Sequence, residues 1–487
     1  MNILGFDIKR AKGKRSFEAA DKGRRGKAFR GVKPTGPNAE ISQALQVLRS
    51  RSRHMVRNNG WAKRAVDAVT RHTVGEGIRP APLGSKAVNQ KIKLIWKNWA
   101  ETTQCDFYGK NNLYGLQELA MRSLVEGGDM IVVLRKHIPV NDNDLPIKLQ
   151  LCEGDLIDHT RNGVNEKGVA RLGVQFSASG EHIGYWLWNA HPGDLSNFAQ
   201  SGYPSGSTNY LTNFGQSEYH DKENILHVFE VLRIGQVRGL PFGVASFMKM
   251  SDFSDYEDAQ LEKQKVAACM AAFVVGSETP PTNEKGEVIR NETLEPGVIE
   301  YLGLGESVEF ANPPSVGEYD TYTKKILQGI AAAFGITYEM LTMDYSNVNF
   351  SSGRMAKIDV TNNFRSWQYN MMVPQFCAPV WEWFIDACLI VGFLTEKVQS
   401  DWTAPRVQQL DPVKETNARL LAVQAGFTTI SEIIREDGRD PDEFFDEYKS
   451  DMERLQSLGI NLKSIISAAE VSGGSNQNNN NNGKEQD

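Results

Sequence analysis

The sequence contains few cysteines and no long hydrophobic run. No apolar stretch approaches the roughly 20 residues that a membrane-spanning helix needs, and residues Met1 to Arg10 lack the apolar core of a secretory signal. We expect synthesis in a cytoplasm and no membrane partner, although membrane association through assembly stays open. The five cysteines form no Cys-x-x-Cys pair, and none stands near a histidine at zinc-ligand spacing. We interpret them as small buried apolar residues and expect no metal site.

Motifs of common enzyme classes are also absent. The sequence has no Gly-x-x-x-x-Gly-Lys-Ser/Thr phosphate loop, no His-Glu-x-x-His metal motif and no Gly-x-Ser-x-Gly nucleophile elbow. The eight histidines are scattered, and His227, inside an apolar strand, is interpreted as structural. Glu153, Asp155 and Asp158 form one acidic group that a metal-dependent nuclease could use, but a turn with solvated carboxylates is the ordinary explanation. We expect no catalytic residues and no cofactor.

Charge is distributed unevenly along the chain. Basic residues outnumber acidic ones from Lys9 to Arg71, and acidic residues dominate from Glu415 to Glu453. This asymmetry indicates different partners or environments at the two ends, although a solvated basic arm without a partner remains open. The net charge of −6 argues against a general nucleic-acid coat. With 487 residues, 40% of them hydrophobic and 23% charged, the chain is globular and long enough for roughly two to four modules.

A mixed α+β module is predicted over residues 39–250. Apolar spacing predicts a first helix near Ala39–Val74, punctuated at Asn58-Asn59-Gly60. A tryptophan-bearing helix and a helix near Tyr114–Glu126 follow, and Gly127-Gly128 ends the second of these. The strand candidates are Met130–Arg135, Lys148–Cys152, Gly173–Phe176, Ile183–Trp188 and Ile225–Val231.

Two long helices that flank a short insert are predicted in the middle of the chain. Ser251–Ala272 lacks Gly and Pro, and Ser251 is a plausible N-cap. Tyr319–Phe334 has apolar residues at spacings of three and four. Phe273–Glu309, between them, is β-rich with Pro and Gly turns. The two helices can pack as an antiparallel hairpin with the insert at its tip, and each apolar stripe could face either an ordinary intramolecular core or a neighbouring subunit.

A Ser- and Asn-rich loop at Asp344–Gly353 precedes a third long helical stretch, which Pro374 and Pro379 interrupt or kink. Short helices follow, with predicted capping boxes at Thr429–Glu432 and Asp440–Glu443. The apolar positions of the long stretch are Met355, Ile358, Phe364, Trp367 and Met371.

Several segments, taken in order, resemble the lambda-type family of tailed-bacteriophage portal proteins. The resemblance covers roughly residues 40–440, and its specificity lies in the collinear order of the segments. The segments are Arg57-Asn58-Asn59, Val74-Gly75-Glu76-Gly77-Ile78, Trp96-Lys97-Asn98-Trp99, Gly127-Gly128-Asp129, His227-Val228-Phe229, Gly235-Gln236-Val237-Arg238-Gly239-Leu240-Pro241, Glu295-Pro296-Gly297, Leu304-Gly305-Glu306, Gly335-Ile336-Thr337-Tyr338-Glu339 and Ser351-Ser352-Gly353-Arg354.

The resemblance implies a structural protein of the virion, assembled in the host cytoplasm. Such proteins form a ring, usually of twelve subunits, at one capsid vertex, and DNA is packaged and ejected through it. The implied partners are double-stranded DNA bound non-specifically, the terminase large subunit, the head–tail connector, and the major capsid and scaffolding proteins. The implied regions are a flexible basic arm (1–38), an α+β wing (39–250), stem helices (251–272 and 319–335), a clip (273–318), a tunnel loop with a long kinked helix (336–411), a helical crown (412–470) and a disordered tail (471–487).

A conduit must hold DNA without gripping it, because tight phosphate contacts summed around a ring would stall translocation. Polar side chains in the tunnel loop could hydrogen-bond the DNA backbone without reading sequence, and a few cations could line the stem; each candidate could also be plain solvated surface. The candidates are Asn347, Asn349, Ser351, Ser352 and Arg354 for the tunnel loop, Lys263, Lys265, Lys324 and Lys325 for the stem, and Arg49, Arg51, Arg53 and Arg57 for the basic helix.

Two other functions stay open. A DNA-processing enzyme such as a terminase-like nuclease would need a phosphate loop or a clear acidic metal cluster, which the sequence lacks. Another head–tail adaptor ring or baseplate component is the second alternative. Such proteins are usually shorter, and the helix–insert–helix unit followed by a polar loop favours a portal.

Overall fold

The computed structural model describes residues 2–3, 6–7, 27, 31, 33–139, 144–193, 216–268, 272–275, 307–310, 319–405, 412–437 and 439–458. Within these ranges helices combine with small antiparallel sheets, which confirms the predicted α+β class. None of the described helices is both long enough and apolar enough to cross a membrane.

Three predictions fall mainly outside the described residues. They concern the flexibility of the arm at 1–38, the interior of the insert at 273–318, and the tail at 471–487. Within the arm, β1 (Asn2–Ile3) pairs antiparallel with β2 (Phe6–Asp7).

The first long helical segment is divided in two at Asn59. The side-chain oxygen of Asn59 accepts the N–H groups of Trp61 and Ala62 at 2.9 and 3.0 Å, so it caps the second helix. The predicted punctuation at this point is therefore confirmed. A later helix ends where Gly128 adopts a φ of +91°. The four helices of this part are α1 (Pro37–Asn58), α2 (Gly60–Val74), α3 (Lys86–Ala100) and α4 (Leu113–Gly127).

Two antiparallel sheets follow these helices. In the first, β4 (Asp129–Lys136) lies between β5 (Ile147–Glu153) and β11 (Ile225–Phe229). The second sheet is a five-stranded meander in chain order. Its strands are β6 (Gly163–Asn165), β7 (Gly168–Arg171), β8 (Val174–Phe176), β9 (His182–Trp188) and β10 (Ser217–Asp221). The five predicted strand segments are confirmed as three strands of the first sheet and as β8 and β9 of the second.

A continuous helical rod runs through the second half of the chain. Helix α8 (Phe350–Trp367) continues through a π-helical segment (Gln368–Cys377) into α9 (Ala378–Val391). Pro374, which has no N–H to donate to a preceding turn, lies inside the π-helical segment. The α-helical pattern is thus interrupted at Pro374, as predicted, although the rod itself continues. Pro379 sits in the first turn of α9, where proline is tolerated.

The apolar positions predicted on this rod divide into two groups. Phe364, Trp367 and Met371 are buried, whereas Met355 and Ile358 are 68% and 54% exposed. The first turns of α8 therefore extend beyond the hydrophobic core, which the apolar spacing did not indicate.

An aromatic cluster joins the two halves of the chain. The ring of Trp96 in α3 lies 5.2 Å from Trp381 and 4.8 Å from Phe384, both in α9. A strand pair, β3 (Arg79–Pro82) with β14 (Ser400–Thr403), adds a second connection. Cys105, Cys377 and Cys388 are buried and Cys152 is partly buried, and these four described cysteines are unpaired, which supports their interpretation as small apolar residues.

The remaining elements correct one predicted helix start and confirm two others. The first middle helix begins at Phe247, directly after a 3₁₀ turn, so the prediction of Ser251 as its N-cap is wrong. Thr429 and Asp440 cap the helices predicted after them. These elements are α5 (Phe247–Ala268), β12 (Ala272–Val275), β13 (Ser307–Phe310), α6 (Tyr319–Ala333), α7 (Tyr338–Thr342), α10 (Pro412–Gln424), α11 (Ile430–Glu436) and α12 (Pro441–Ser457).

Candidate functional site

Helices α5 and α6 lie side by side and run antiparallel. Tyr256, midway along α5, stacks on Tyr319 at the start of α6 with ring centroids 6.0 Å apart, and it contacts Tyr322 at 4.7 Å. Near the other end, Lys249 Nζ lies 3.4 Å from the position that a Cβ on Gly329 would take. An early residue of α5 thus meets a late residue of α6, which is the hairpin arrangement predicted from the sequence.

The chain that leaves α5 and the chain that returns to α6 meet as two strands. Strand β12 pairs antiparallel with β13, with Ala272 opposite Phe310 and Val275 opposite Ser307. Because β12 follows α5 closely in the chain and β13 precedes α6, the strand pair lies at the end of the helix pair where the insert begins. The described part of the insert is therefore β-structured, as expected.

The polar loop between α7 and α8 is shorter than predicted. It ends at Asn349, whose side chain accepts the N–H of Ser352 at 2.8 Å while the Ser352 hydroxyl accepts the N–H of Asn349 at 3.2 Å. This capping box starts α8 at Phe350. Ser351, Ser352 and Arg354 consequently belong to the first turn of a helix, and the prediction that the loop extends to Gly353 is wrong. Of the five candidates, Asn347 alone lies fully inside the loop.

Inside the loop the one carboxylate is held by its neighbours. Asp344 Oδ1 accepts the N–H and the hydroxyl of Ser346 at 3.0 and 2.6 Å. These bonds from Ser346 lower the pKa of Asp344, with smaller effects from Tyr338 and Lys324. The exposed tip, Tyr345 to Asn347, carries no other charge. The loop therefore presents uncharged polar groups on a turn fixed by hydrogen bonds.

The four lysine candidates on the helix pair occupy different environments. Lys265 pairs with Glu262 of its own helix at 2.8 Å. Lys324 lies over the ring of Tyr338 at 5.4 Å and is partly buried. Lys263 is also partly buried, and Lys325 is exposed. The structure does not gather them on one surface of the helix pair.

The four arginine candidates of α1 separate into two kinds. Arg51 and Arg57 are exposed. Arg53 is half-buried and donates to Asp155 at 2.6 Å and to Glu153 at 2.9 Å. Arg49 is buried, bonds to Asp129 and donates from Nε to Gly127 O at 2.9 Å. Of these four candidates, Arg49 and Arg53 use their guanidinium groups inside the subunit, and Arg51 and Arg57 remain exposed.

Asp129 is the centre of a buried charge cluster. Its Oδ2 accepts Arg238 Nε at 2.7 Å, His227 Nε2 at 3.2 Å and the N–H of Gly239 at 3.2 Å. Burial would raise the pKa of Asp129, but Arg238, Arg49 and His227 outweigh burial and hold it well below its ordinary value. Arg238 donates its other N–H groups to the carbonyls of Leu172 and Gly154. We call Asp129, Arg49, Arg238 and His227 the Asp129 cluster.

Glycines allow the backbone to close around the Asp129 cluster. A Cβ on Gly239 would overlap the carbonyl of Gly128, and a Cβ on Gly154 would overlap the carboxylate of Asp129. Gly128 itself has a positive φ and lies against the backbone of Leu240. The cluster therefore ties α1, the start of β4 and the 235–241 segment together without room for side chains.

The acidic group after β5 is not the solvated turn that was the ordinary explanation. Asp155 is bonded to Arg53 and lies near Arg49. Burial alone would raise the pKa of Asp155, but the two arginines outweigh burial and lower it. Asp158 is buried and accepts the N–H of Thr160 at 3.0 Å. Glu153 is exposed. The expectation of a solvated turn is wrong for Asp155 and Asp158, and Arg53 bonds to the carboxylates of both Asp155 and Glu153.

His227 is a structural histidine, as predicted. It is buried between Asp129 and the rings of Tyr185 and Phe229, whose centroids lie 5.4 and 4.7 Å away. Burial lowers the pKa of His227 against the opposing effect of Asp129.

Sequence reasoning missed the Asp129 cluster as a unit. A signal was present, since Asp129, His227 and Arg238 fall in segments that carry the family resemblance: Gly127-Gly128-Asp129, His227-Val228-Phe229 and the 235–241 segment. Those segments are distant in the sequence and meet only in the fold.

A family model described as phage portal protein, lambda family, matches residues 22–368 of this chain. The probable portal protein of Halomonas phage phiHAP-1 is 25% identical over 475 residues, which cover 92% of this chain and 88% of that protein. Portal protein B of Escherichia phage lambda is 22% identical over 482 residues, which cover 87% and 86%.

Solved structures are more distant. A chain from the neck of a native gene transfer agent particle, computed with C12 symmetry, is 14% identical with a TM-score of 0.45, and the match covers 84% of this chain and 96% of that chain. An HK97 family phage portal protein from Corynebacterium diphtheriae is 8% identical with a TM-score of 0.32, and the match covers 76% and 97%.

Proposed function

Because the chain belongs to the lambda family of phage portal proteins, we propose that it is the repeating subunit of a DNA-conducting ring, of twelve copies, at one vertex of the capsid. In this role it is a structural protein of the virion, assembled in the host cytoplasm, and not an enzyme. Double-stranded DNA passes through the ring during packaging and ejection.

The observation that carries this proposal is the antiparallel pair α5–α6, continued by the strand pair β12–β13. The contacts of Tyr256 with Tyr319 and Tyr322 hold the two helices together along the first part of α6. Helix α5 has 22 residues and α6 has 15, so this unit is narrow and long. Such a unit can form a stem with a clip at its end, and copies of it can surround an axis.

The loop between α7 and α8 supplies the proposed contact with DNA. Its exposed tip is polar and uncharged, and the nearby Asp344 is hydrogen-bonded to Ser346. Uncharged groups can hydrogen-bond phosphate oxygens, but they release no counterions, so their affinity for DNA is weak. Contacts to phosphate also do not depend on the DNA sequence. A ring of such loops would let duplex DNA slide in either direction. Lys263, Lys265, Lys324 and Lys325 remain proposed as the few cations of the stem.

Other partners are proposed from family membership alone. They are the terminase large subunit, the head–tail connector, and the major capsid and scaffolding proteins. Helices α10, α11 and α12 correspond to the proposed crown, and residues 39–250 to the proposed wing.

The experiment changes the charge of the loop without removing it. Asn347 is exposed and caps no helix, so Asn347→Lys should leave the fold intact while adding one positive charge per subunit around the channel. We expect heads of normal number and shape that contain less DNA. Gln456→Lys, on the exposed side of α12, is the matched control. Heads with normal DNA content in the Asn347→Lys variant would contradict the channel role of the loop.

A further inference from the structure

The outer side of α5 carries a row of acidic residues. Phe253 is buried on the inner side, and Asp255, Asp258 and Glu262, spaced by three and four residues, lie opposite it. Glu262 is bonded to Lys265 of the same helix at 2.8 Å. Asp255 and Asp258 have no ion-pair partner among the described residues. Within the described residues, the row is therefore an exposed acidic surface on which Asp255 and Asp258 are not neutralised.

The outer side of α8 carries a row of the opposite charge. Val360 and Phe364 are buried on the inner side, and Arg354, Ile358 and Arg365, spaced by four and seven residues, lie opposite them. Both arginines are exposed, and within the described ranges neither has an acidic partner. Asp359, the one acidic residue of α8, lies off this row.

Exposed apolar side chains lie beside both rows. Leu261 on α5 and the pair Met355 and Ile358 on α8 are each more than half exposed. Such apolar side chains could be buried if the charged rows of two copies came together.

The two rows lie on helices that pack against different parts of the chain. At 1.5 Å per residue, the acidic row from Asp255 to Glu262 extends about 10 Å and the basic row from Arg354 to Arg365 about 16 Å, so the acidic row fits within the length of the basic row. Helix α5 packs against α1 and α6, whereas α8 packs against α2 and the π-helical segment. The rows thus belong to two different faces of the subunit.

We propose that the acidic row of α5 in one copy docks on the basic row of α8 in the next copy. This inference rests on the proposed ring and names the surfaces that close it. A contact between two different faces repeats from copy to copy, and it forms a ring when the rotation closes. Opposite charges favour this pairing, and a contact between two α5 rows or two α8 rows is repelled.

The test uses charge reversal on each row separately. Asp255→Lys with Asp258→Lys gives one variant, and Arg354→Glu with Arg365→Glu gives the other. Each variant alone places like charges at every contact, so we expect the fraction of protein in rings to fall by about tenfold or more at low salt. Circular dichroism should show an unchanged helix content in both.

Mixing the two variants makes the test specific. Lysines on α5 of the first variant would face glutamates on α8 of the second, and the native acids of the second would face the native arginines of the first. We expect an equimolar mixture to recover rings in which the variants alternate, with equal numbers of each by native mass spectrometry. The chain that carries all four substitutions should also recover rings.

Each outcome has a defined meaning. Asp446→Lys with Asp451→Lys, on the exposed side of α12, makes the same change of charge elsewhere and should leave rings intact. Rings in both single-row variants at wild-type levels would overturn the docking inference and leave the proposed function standing. If rings were lost and mixing did not restore them, the docking inference would also be overturned. The arginines would then serve another contact, such as one with DNA. A wild-type chain that forms no rings would contradict the proposed function itself.

Discussion

Arg238 Nε lies 2.7 Å from Asp129 Oδ2, and both side chains are fully buried. A buried ion pair is favourable only when further hydrogen bonds satisfy its remaining donors and acceptors. Here the Asp129 carboxylate accepts further hydrogen bonds from Arg49, His227 and the N–H of Gly239. The Arg238 guanidinium donates its other hydrogen bonds to the carbonyls of Leu172 and Gly154. The pair therefore fixes the relative position of α1, β4 and the 235–241 segment.

Removal of the charge on Asp129 should be strongly destabilising. Asp129→Asn leaves Arg238 buried without an anion and Arg49 with only Asp155, 3.8 Å away, and we expect the free energy of unfolding to fall by about 3 to 5 kcal/mol. Urea titration of variants kept below their assembly concentration measures the change. Glu153→Gln, at the exposed edge of the same network, should change it by less than about 1 kcal/mol. Equal effects from the two substitutions would argue against a central role for Asp129.

The same carboxylate should make stability depend on acid pH. Its pKa in the folded chain is well below the ordinary value, so the unfolded chain takes up the proton first as pH falls. The contribution of Asp129 is then complete above about pH 4 to 5 and declines as pH falls below that range toward its folded pKa. We expect the difference in melting temperature between wild type and Asp129→Asn to be constant from pH 7 to pH 5 and to shrink toward pH 3. A difference that grows on acidification has the wrong sign for this account.

Gly239 should not tolerate a side chain. A Cβ there would overlap the carbonyl of Gly128 and contact Phe229, so Gly239→Ala should lower the free energy of unfolding by about 3 kcal/mol or more, since the backbone must move. Gly60→Ala is the control, because it lies in the first turn of α2 with no atom within 4 Å of the new Cβ. It should be neutral or stabilising by up to about 1 kcal/mol. Thermal unfolding distinguishes the two, and a mild effect at Gly239 would show that the segment can shift.

Asn349 should act on the helix and not on DNA. Its side chain caps α8, so Asn349→Ala should destabilise the start of that helix by about 1 kcal/mol. Hydrogen exchange measures this as faster exchange at residues 350–354 with no change in β4. Asn347→Ala, two residues earlier, should leave exchange unchanged. If both substitutions accelerated exchange equally, the assignment of separate roles would fail.

Much of the fold follows from local sequence signals. The helix pair was predictable because Ser251–Ala272 lacks Gly and Pro and because the second helix has regular apolar spacing. The sheet strands were predictable because their β-branched runs end at turn residues. The start of α5 was missed, because Phe247 follows a short 3₁₀ turn that continues directly into the helix and leaves no gap for a cap.

The fate of individual side chains was less predictable. Arg49 and Arg51 look alike in the sequence, yet one is buried against Asp129 and the other is exposed. The difference depends on a partner 80 residues away, which local spacing cannot identify. Met355 and Ile358 continue an apolar pattern but lie outside the core. This could not be predicted, because apolar periodicity does not show whether a helix face packs against its own chain or against another molecule.

The most direct test of the ring assignment is electron microscopy of the purified full-length chain. The account predicts closed rings with a central hole wide enough for duplex DNA, in which the α5–α6 pair runs along the hole and the 343–349 loops project into it. A chain that stays monomeric at micromolar concentration, or rings whose hole is lined by the five-stranded sheet instead, would contradict it.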